Sequence, residues 1–306
     1  MDSMAESVTD AVHPTGRQHE ITSGGYRAVI CEQGATLRSL TFDGEDLLLS
    51  FGAEESPEGA RGQHLLPWPN RIRDGRYLFD GDLRQLAINE QNHHNAIHGL
   101  TRWLAWNLAE LTTDSITQSL LLLDQPGWPG SVRFTLSHHL SLEGLRVEVS
   151  ALNVGATPVP LGYAAHPYLV MAGIPIDQWS VSAGFATYLE VDERLLPVAL
   201  RPVEGTPAQL HGEQEFGSRS LDTAFTDSPV AGRRWQVEVR AGRHHRLLWA
   251  GPGLPWSQIF TPWYRTAMAV EPMSCGPDAF NEGPTHDSML RLEPGDSAHF
   301  EWGVSI

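Results

Sequence analysis

Hydrophobic and polar residues alternate along much of this chain, with the period of two that is typical of strands with one buried face. The alternation is clearest in residues 132–136, 145–151, 235–239 and 298–304. Glu143-Gly144 lies between the first two of these runs, and this dipeptide is typical of the turn of a β-hairpin. The pattern therefore predicts antiparallel strands that follow each other closely along the chain.

Helical periodicity is scarce by comparison. The best helical candidate is residues 101–111, TRWLAWNLAEL, and it fits a strand nearly as well. Turn signals recur, for example at Asp43-Gly44 and Asp80-Gly81. Many short strands with frequent turns predict an all-β fold, either a sandwich or a barrel. Since we find no linker and no repeat, we predict one domain over residues 19–306 and a loose N-terminal tail over residues 1–18.

The composition excludes several classes of function. The 306 residues carry a net charge of −16, which argues against nucleic acid or an anionic membrane as a partner. All 21 basic residues are arginine, so a Schiff-base lysine, a pyridoxal phosphate anchor and a P-loop lysine are excluded. We find no run long enough for a transmembrane helix, no secretory signal and only two cysteines, Cys31 and Cys275, which together predict a cytoplasmic protein.

Stiff backbone and titratable side chains occur together in four stretches. The first, residues 65–81, begins with two prolines around Trp68, and Asn70 and Arg71 follow at once. The second, residues 92–100, carries three histidines, which are His93, His94 and His98. The other two stretches contain a histidine and a glutamate, each placed before a proline.

His166 and Glu271 are these two residues, and the following proline favours an extended backbone that fixes the direction of each side chain. His166 is either a catalytic imidazole or a buried histidine of the core. On a strand, Glu271 shares a face with Ala267 and Ala269, whose small side chains leave room for a cleft above the carboxylate. The alternative is a strand-end carboxylate that faces solvent.

The histidines do not predict a metal site. His94 and His98 would share a helix face, but the asparagines and the glycine around them disfavour a helix. His138-His139 and His244-His245 place neighbours on opposite faces of a strand. Because the sequence shows no zinc-type spacing, no G-x-S-x-G motif and no glycine-rich phosphate loop, we predict neither a metal nor a cofactor.

Five motifs stand out in chain order: PWPNRI (67–72), IHGL (97–100), AAHPYL (164–169), SLDTAFT (220–226), and EP with DAFN (271–281). In their order and approximate spacing they resemble the aldose 1-epimerases, also called galactose mutarotases. The resemblance runs from about residue 19 to the end of the chain. It implies a large antiparallel β-sandwich and a small-molecule aldose as the substrate.

The resemblance also implies roles in the reaction. Glu271 would be the general base that takes the proton from the anomeric hydroxyl, and His166 the general acid that protonates the ring oxygen. The ring would open to the free aldehyde and reclose as the other anomer, with His98 assisting near the ring oxygen. We expect Glu271 to be ionised near its reference pKa of about 4.3, and a nearby carboxylate to raise the pKa of His166.

Further residues are expected to hold the sugar. The resemblance implies that Arg71 and Asp222 bind hydroxyl groups and that Asn70 shapes their loop. Trp68 and Trp256 are expected to line the cleft, because tryptophan offers a broad apolar face to a sugar ring. The segment 103–106 is richer in tryptophan than the family pattern, and its two rings either line the pocket or pack in the core.

Other functions remain open from the sequence. A hexose-6-phosphate 1-epimerase needs clustered cations for the phosphate, but strand alternation would send Arg71 and Arg73 one way and Arg76 the other. A non-catalytic carbohydrate-binding sandwich needs no acid–base pair. A glycoside hydrolase or lyase would use Glu271 with Asp222 as its two carboxylates. The preferred aldose, and the choice between a monomer and a homodimer, are also open.

Overall fold

The structure is a computed structural model that describes residues 12–228 and 232–306. Over these residues the chain forms 27 strands and three single-turn 3₁₀ helices, Glu58–Ala60, Ile176–Gln178 and His286–Ser288. None of these helices has the length and apolarity that crossing a membrane would take. Residues 1–11 of the predicted N-terminal tail lie outside the described residues, and the first strand begins at Gln18.

The strands in chain order are β1 (Gln18–Ser23), β2 (Tyr26–Cys31), β3 (Leu37–Phe42), β4 (Glu45–Asp46), β5 (His64–Leu65), β6 (Arg71–Arg73), β7 (Arg76–Phe79), β8 (Asp82–Gln85), β9 (Asn95–Ile97), β10 (Asn107–Leu111), β11 (Ser115–Leu122), β12 (Val132–Ser141), β13 (Gly144–Asn153), β14 (Val159–Leu161), β15 (Ala164–Ala165), β16 (Tyr168–Leu169), β17 (Ser180–Ala183), β18 (Thr187–Val191), β19 (Pro197–Pro202), β20 (His211–Glu215), β21 (Asp222–Thr226), β22 (Trp235–Ala241), β23 (His244–Ala250), β24 (Trp256–Phe260), β25 (Met268–Met273), β26 (Leu290–Leu292) and β27 (Ser297–Ser305).

Three antiparallel sheets make up most of the fold. A nine-stranded sheet has the order β10-β11-β12-β13-β27-β23-β22-β17-β20. An eight-stranded sheet has the order β19-β18-β21-β24-β25-β15-β5, with β16 also paired to β25, and a four-stranded sheet runs β1-β2-β3-β4. The nine-stranded sheet contacts both of the others, β12 against β1 and β23 against β25. This arrangement confirms the predicted all-β antiparallel sandwich.

The strongest alternating run forms the hairpin that it predicts. β12 and β13 pair over their whole length, with Ser141 opposite Gly144. Phe134 and Leu136 point inwards and are fully buried, because the period of two sends every second side chain into the core. Residues 101–111 form no helix, and instead a turn leads into β10, so the strand alternative is the right one there.

A chain of hydrogen bonds crosses the core between the two larger sheets. Trp302 Nε1 donates to the Tyr163 hydroxyl at 2.9 Å, and this hydroxyl lies 2.9 Å from His64 Nδ1. The other ring nitrogen of His64, Nε2, lies 3.3 Å from His138 Nε2, so the four side chains are linked in a row. Both imidazoles are fully buried, and burial lowers the pKa of His138 to about 3.

The eight-stranded sheet has two different faces, and this difference positions the site. Phe225, Ile259 and Val270 on three neighbouring strands belong to the main hydrophobic core. Side chains that alternate with them therefore point away from that core, towards the loops that cover the sheet.

Candidate active site

Polar side chains from three neighbouring strands meet on the outward face of the eight-stranded sheet. Asp222 lies on β21, Gln258 on β24 and Glu271 on β25, with Glu271 directly opposite Gln258. The Gln258 amide donates a hydrogen bond to Asp222 Oδ1 at 2.5 Å. Glu271 is only 3% exposed, although carboxylates are rarely buried without partners. A rigid sheet therefore holds a row of polar groups in one plane.

His166 stands beside the Glu271 carboxylate, in the short connection between β15 and β16. Its Nε2 lies 3.3 Å from Glu271 Oε1, and its ring stacks on Tyr168 with 5.0 Å between ring centres. The backbone around it is tied to a neighbouring loop: the His166 N–H donates to the Gln63 carbonyl, and the Gly62 N–H donates to the His166 carbonyl, both at 3.0 Å. These contacts hold the imidazole against the carboxylate.

Two loops on the other side bring Asn70, Arg71 and His98 to the same place. Arg71 at the start of β6 pairs with Ile97 at the end of β9, and the His98 N–H donates to the Asn70 carbonyl at 2.9 Å. Asn70 and His98 both have a left-handed backbone, with φ of 50° and 66°. Backbone strain in residues other than glycine tends to occur at functional sites, where surrounding contacts hold it in place.

Arg71 is itself held by a carboxylate. Its Nε lies 3.0 Å from both carboxylate oxygens of Glu90, and its Nη2 lies 2.9 Å from Glu90 Oε1. Burial alone would raise the pKa of Glu90, but hydrogen bonds from Arg71 and Asn95 outweigh burial and lower it. The guanidinium is thus fixed in direction, and its Nη1 lies 3.3 Å from Asn70 Oδ1 at the edge of the pocket.

These residues enclose one pocket of about 330 Å³, a volume typical of small-molecule sites. The lining includes six of the eight predicted site residues, which are Asn70, Arg71, His98, His166, Asp222 and Glu271. The His98 and His166 rings meet edge to face, with 5.5 Å between their centres.

Trp68 and Trp256, the other two predicted site residues, do not line the pocket, and the expectation that they do is corrected. Trp68 is 2% exposed and packs edge to face on Phe280 in the main core. Trp256 shares the outward face with Gln258, but a small hydrophobic cluster covers its ring. The two tryptophans of segment 103–106 differ in location: Trp103 lines the pocket and is 47% exposed, whereas Trp106 is buried in the core.

The electrostatics of the central pair also differ from expectation. Burial lowers the pKa of His166 to about 3. Burial, together with the nearby Asp222 carboxylate, raises the pKa of Glu271 well above its usual value. The expectation that a carboxylate raises the pKa of His166 is wrong, and Glu271 does not keep its reference pKa, because burial penalises the charged form of each group. A raised pKa makes the Glu271 carboxylate a stronger base, and a lowered pKa makes the protonated imidazole a stronger acid.

Several buried polar atoms of the pocket have no hydrogen-bond partner within the described part of the chain. They are His98 Nδ1, His166 Nδ1, Gln258 Oε1 and Arg102 Nε. Unpaired buried polar atoms are uncommon in folded proteins, and here four of them belong to residues that line one pocket. A polyol offers donors and acceptors to such atoms at many positions.

Sequence reasoning missed three contributors to the site. Glu90 fixes Arg71 from a segment whose sequence carries no recognisable signal. Gln258 could have been found, since alternation places it on the same face as Trp256 in the run 256–260. Arg102 lines the pocket next to His98, but the sequence gives no reason to single it out from the other arginines. Over the described ranges, no three histidine, cysteine, aspartate or glutamate side chains converge in a way that suits a metal ion.

Comparison with known proteins identifies a matching family model, a similar sequence and similar folds. The sequence model of the family described as aldose 1-epimerase matches residues 17–304. The chain is 32% identical to uncharacterized protein YihR of Escherichia coli (strain K12) over 290 residues, covering 93% of this chain and 91% of YihR.

Solved structures share the fold at lower sequence identity. The GalM/aldose epimerase homologue from C. elegans superposes with a TM-score of 0.82 at 20% identity, covering 94% of this chain and 98% of that one. The galactose 1-epimerase from Lactobacillus acidophilus NCFM gives a TM-score of 0.74 at 19% identity, covering 92% of each chain.

Proposed function

This chain belongs to the aldose 1-epimerase family, and on that premise we propose that it interconverts the α and β anomers of an aldohexose by opening and reclosing the sugar ring. The observation that carries the proposal is the contact between His166 Nε2 and Glu271 Oε1, 3.3 Å apart in the floor of a sugar-sized pocket. A base and an acid this close can reach two oxygens bonded to the same carbon.

The proposed reaction uses one proton held by the pair. The shifted pKa values place this proton mainly on Glu271, next to a neutral His166. In the reactive tautomer the proton has moved to His166, so the Glu271 carboxylate accepts the proton of the C1 hydroxyl while the imidazolium gives its proton to the ring oxygen. The C1–O5 bond breaks, and the C1–O1 bond becomes the carbonyl of the open-chain aldehyde. After rotation about C1–C2, the same two steps in reverse close the ring on the other face.

The shifted pKa values make this tautomer scarce but reactive. Because the two groups interact at contact distance, the proton belongs to the pair rather than to either residue. The high proton affinity of Glu271 helps it take the hydroxyl proton, and the low affinity of His166 helps it release a proton to the ring oxygen. Each positioned proton transfer contributes about 10²–10⁴-fold to the rate. No cofactor is needed in this scheme, since mutarotation already proceeds in water.

The remaining pocket residues orient the sugar in the proposed complex. Asp222 with Gln258 and Arg71 with Glu90 hold donors and acceptors in fixed directions around the central pair. His98 stands beside His166 and offers Nδ1, which lacks a partner, to a neighbouring hydroxyl. Preorganised groups of this kind lower the entropy cost of reaching the reactive geometry.

The arginine cluster considered for a sugar phosphate does not form around Arg71. Arg73 faces Asp278 at 3.3 Å, and Arg76 faces Gln85 at 2.6 Å, so both side chains are engaged away from the pocket. These contacts remove that argument for a hexose-6-phosphate 1-epimerase.

The test is exchange NMR on the purified protein with equilibrated glucose and galactose, which measures the rate of α–β interconversion directly. We expect magnetisation exchange between the anomers to accelerate with protein concentration in wild type and to fall to the uncatalysed rate in Glu271→Gln. A wild-type protein that binds sugar but leaves the exchange rate unchanged would instead be a carbohydrate-binding protein. Release of reducing ends from glycosides would identify a hydrolase or lyase.

A further inference from the structure

Arg102 is a cation in the pocket wall that no carboxylate neutralises. Across the described ranges it forms no ion pair, and its Nε is buried without a hydrogen-bond partner. Burial lowers its pKa, and it is close enough to lower the pKa of His98 and His166 as well. An arginine remains charged at neutral pH despite such a shift, so the pocket wall carries a positive charge.

Neutral groups alone hold this guanidinium in place. Its Nη1 donates to Gln63 Oε1 at 3.3 Å, while Gln63 Nε2 donates to the Arg102 carbonyl at 3.2 Å. The guanidinium carbon lies 4.8 Å from the centre of the Trp103 ring, within the range of a cation–π contact. Gln63 is fully buried, so this support is built into the wall. The side chain is therefore positioned, but its charge is not balanced.

Two other arginines with largely buried side chains do have an acidic partner. Arg71 pairs with Glu90, and Arg246 pairs with Glu45. The chain as a whole carries a net charge of −16, so a lone cation in a pocket does not follow from general basicity. Leaving a partly buried charge unpaired is costly, and such a cost is most simply offset when a ligand supplies the counter-charge.

The position of Arg102 indicates which part of a sugar it would meet. Gln63 accepts from Arg102 Nη1 through its side chain at 3.3 Å and from the His166 N–H through its carbonyl at 3.0 Å, so Arg102 stands on the His166 side of the central pair. In the proposed reaction Glu271 faces O1 and His166 faces the ring oxygen. The ring oxygen joins C1 to C5, so a group that extends past His166 towards Arg102 is carried on C5.

We propose that the substrate is an aldohexose with an oxyanion at C6, a carboxylate, phosphoryl or sulfo group, and that Arg102 binds this anion. The inference rests on the proposed function, because it uses the roles of Glu271 and His166 to orient the ring. A planar guanidinium binds each of these oxyanions through paired N–H···O contacts. Trp103 shields the contact from water on one side.

The experiment compares glucose with glucuronate, glucose 6-phosphate and glucose 6-sulfate in the exchange assay, each corrected for its uncatalysed rate. We expect kcat/KM for at least one anionic sugar to exceed that for glucose by roughly ten- to hundredfold, the range of a charged hydrogen bond. The three anionic sugars distinguish which oxyanion the site takes. A kcat/KM for glucose that equals or exceeds all three overturns the inference and leaves the proposed function standing.

Binding to the Glu271→Gln protein, measured by calorimetry, gives a second readout that does not need turnover. An anionic sugar that binds tighter than glucose supports the inference even if no sugar is interconverted, in which case only the proposed function fails. Equal binding of all four sugars overturns it.

Variants assign the effect to Arg102. Arg102→Gln should reduce the ratio of anionic to neutral kcat/KM towards one, mainly through the KM of the anionic sugar, and Arg102→Lys should restore part of it. Arg133→Gln is the matched control, because it removes one exposed positive charge from β12 and should keep the wild-type ratio. An unchanged ratio in both Arg102 variants would contradict the assignment.

Discussion

Replacing His166 by asparagine tests the acid–base pair through two independent readouts. The change removes the imidazole that lies 3.3 Å from Glu271 and leaves an amide that is neither protonated nor ionised near neutral pH. The variant should lose catalysis. Its free energy of unfolding should also fall less than that of wild type when the pH is lowered. The first effect depends on the proposed mechanism, and the second depends only on burial.

The catalytic loss follows from the value of one positioned proton transfer. Such a transfer contributes about 10²–10⁴-fold, which corresponds to about 3–5 kcal/mol of transition-state stabilisation. We therefore expect kcat of His166→Asn to fall by that factor while the sugar still binds. Exchange NMR at saturating sugar measures the fall directly.

The effect on stability follows from the pKa of His166, which burial lowers from 6.5 to about 3. Between these values the unfolded chain binds a proton that the folded chain does not bind, so stability falls as the pH falls from 6.5 towards 3. Each pH unit well inside this window costs about 1.4 kcal/mol. Going from about pH 7 to about pH 5 should thus cost wild type about 2 kcal/mol more than His166→Asn.

Denaturant unfolding at the two pH values, followed by tryptophan fluorescence, measures this difference. The quantity compared is the change in unfolding free energy of each protein between the two pH values, so any pH-independent cost of the substitution cancels. His138→Asn is the matched control, since burial also lowers the pKa of His138 to about 3 but its ring lies in the core and not in the pocket. It should show the same change in acid sensitivity and keep its activity. Near-wild-type kcat in His166→Asn would refute the catalytic role, and an unchanged acid sensitivity would refute the buried neutral imidazole.

Three further predictions concern the same pocket. Glu271→Gln should lower kcat by about 10²–10⁴-fold. It should also raise the free energy of unfolding at neutral pH, because the raised pKa of Glu271 makes the wild-type protein less stable as the pH rises above the usual pKa of a glutamate. A less stable variant at neutral pH would contradict this. Arg71→Ala should raise KM more than it lowers kcat in steady-state assays, and an unchanged KM would exclude hydroxyl binding by Arg71. The kcat/KM of wild type should follow a bell-shaped pH profile, because only the pair that holds one proton is active. Activity should fall on the acid side as a second proton binds at the lowered pKa of His166, and on the alkaline side as the proton leaves at the raised pKa of Glu271. A profile without an alkaline limb would argue against a shared proton.

The sandwich could be predicted from sequence because its central strands keep a strict period of two. β12 and β13 alternate over ten residues each, and a one-residue slip would turn their whole apolar face to solvent. Alternation also placed Glu271 on a face with small neighbours. The short strands β15 and β16 have only two residues each, too few to show any period, and His166 lies in the connection between them.

Family motifs located most of the site, but they carried no information about burial. Trp68 and Trp256 were misplaced because a tryptophan next to a functional residue in sequence packs as readily beneath the site as beside it. The pKa directions of His166 and Glu271 depend on how many covering side chains exclude water, which is a property of the assembled fold. Arg102 became visible only when the acidic partners of Arg71 and Arg246 were known. The single domain over residues 19–306 and the cytoplasmic location stay predictions.

The central claim is that Glu271 and His166 contact the two oxygens of one hemiacetal. A crystal structure of Glu271→Gln, which should bind sugar without turning it over, tests this claim most directly when a preferred aldose is soaked in. We expect the C1 hydroxyl to lie about 3 Å from the residue 271 amide, and the ring oxygen about 3 Å from His166 Nε2. A sugar bound in the pocket with its anomeric carbon turned away from both side chains would contradict the account.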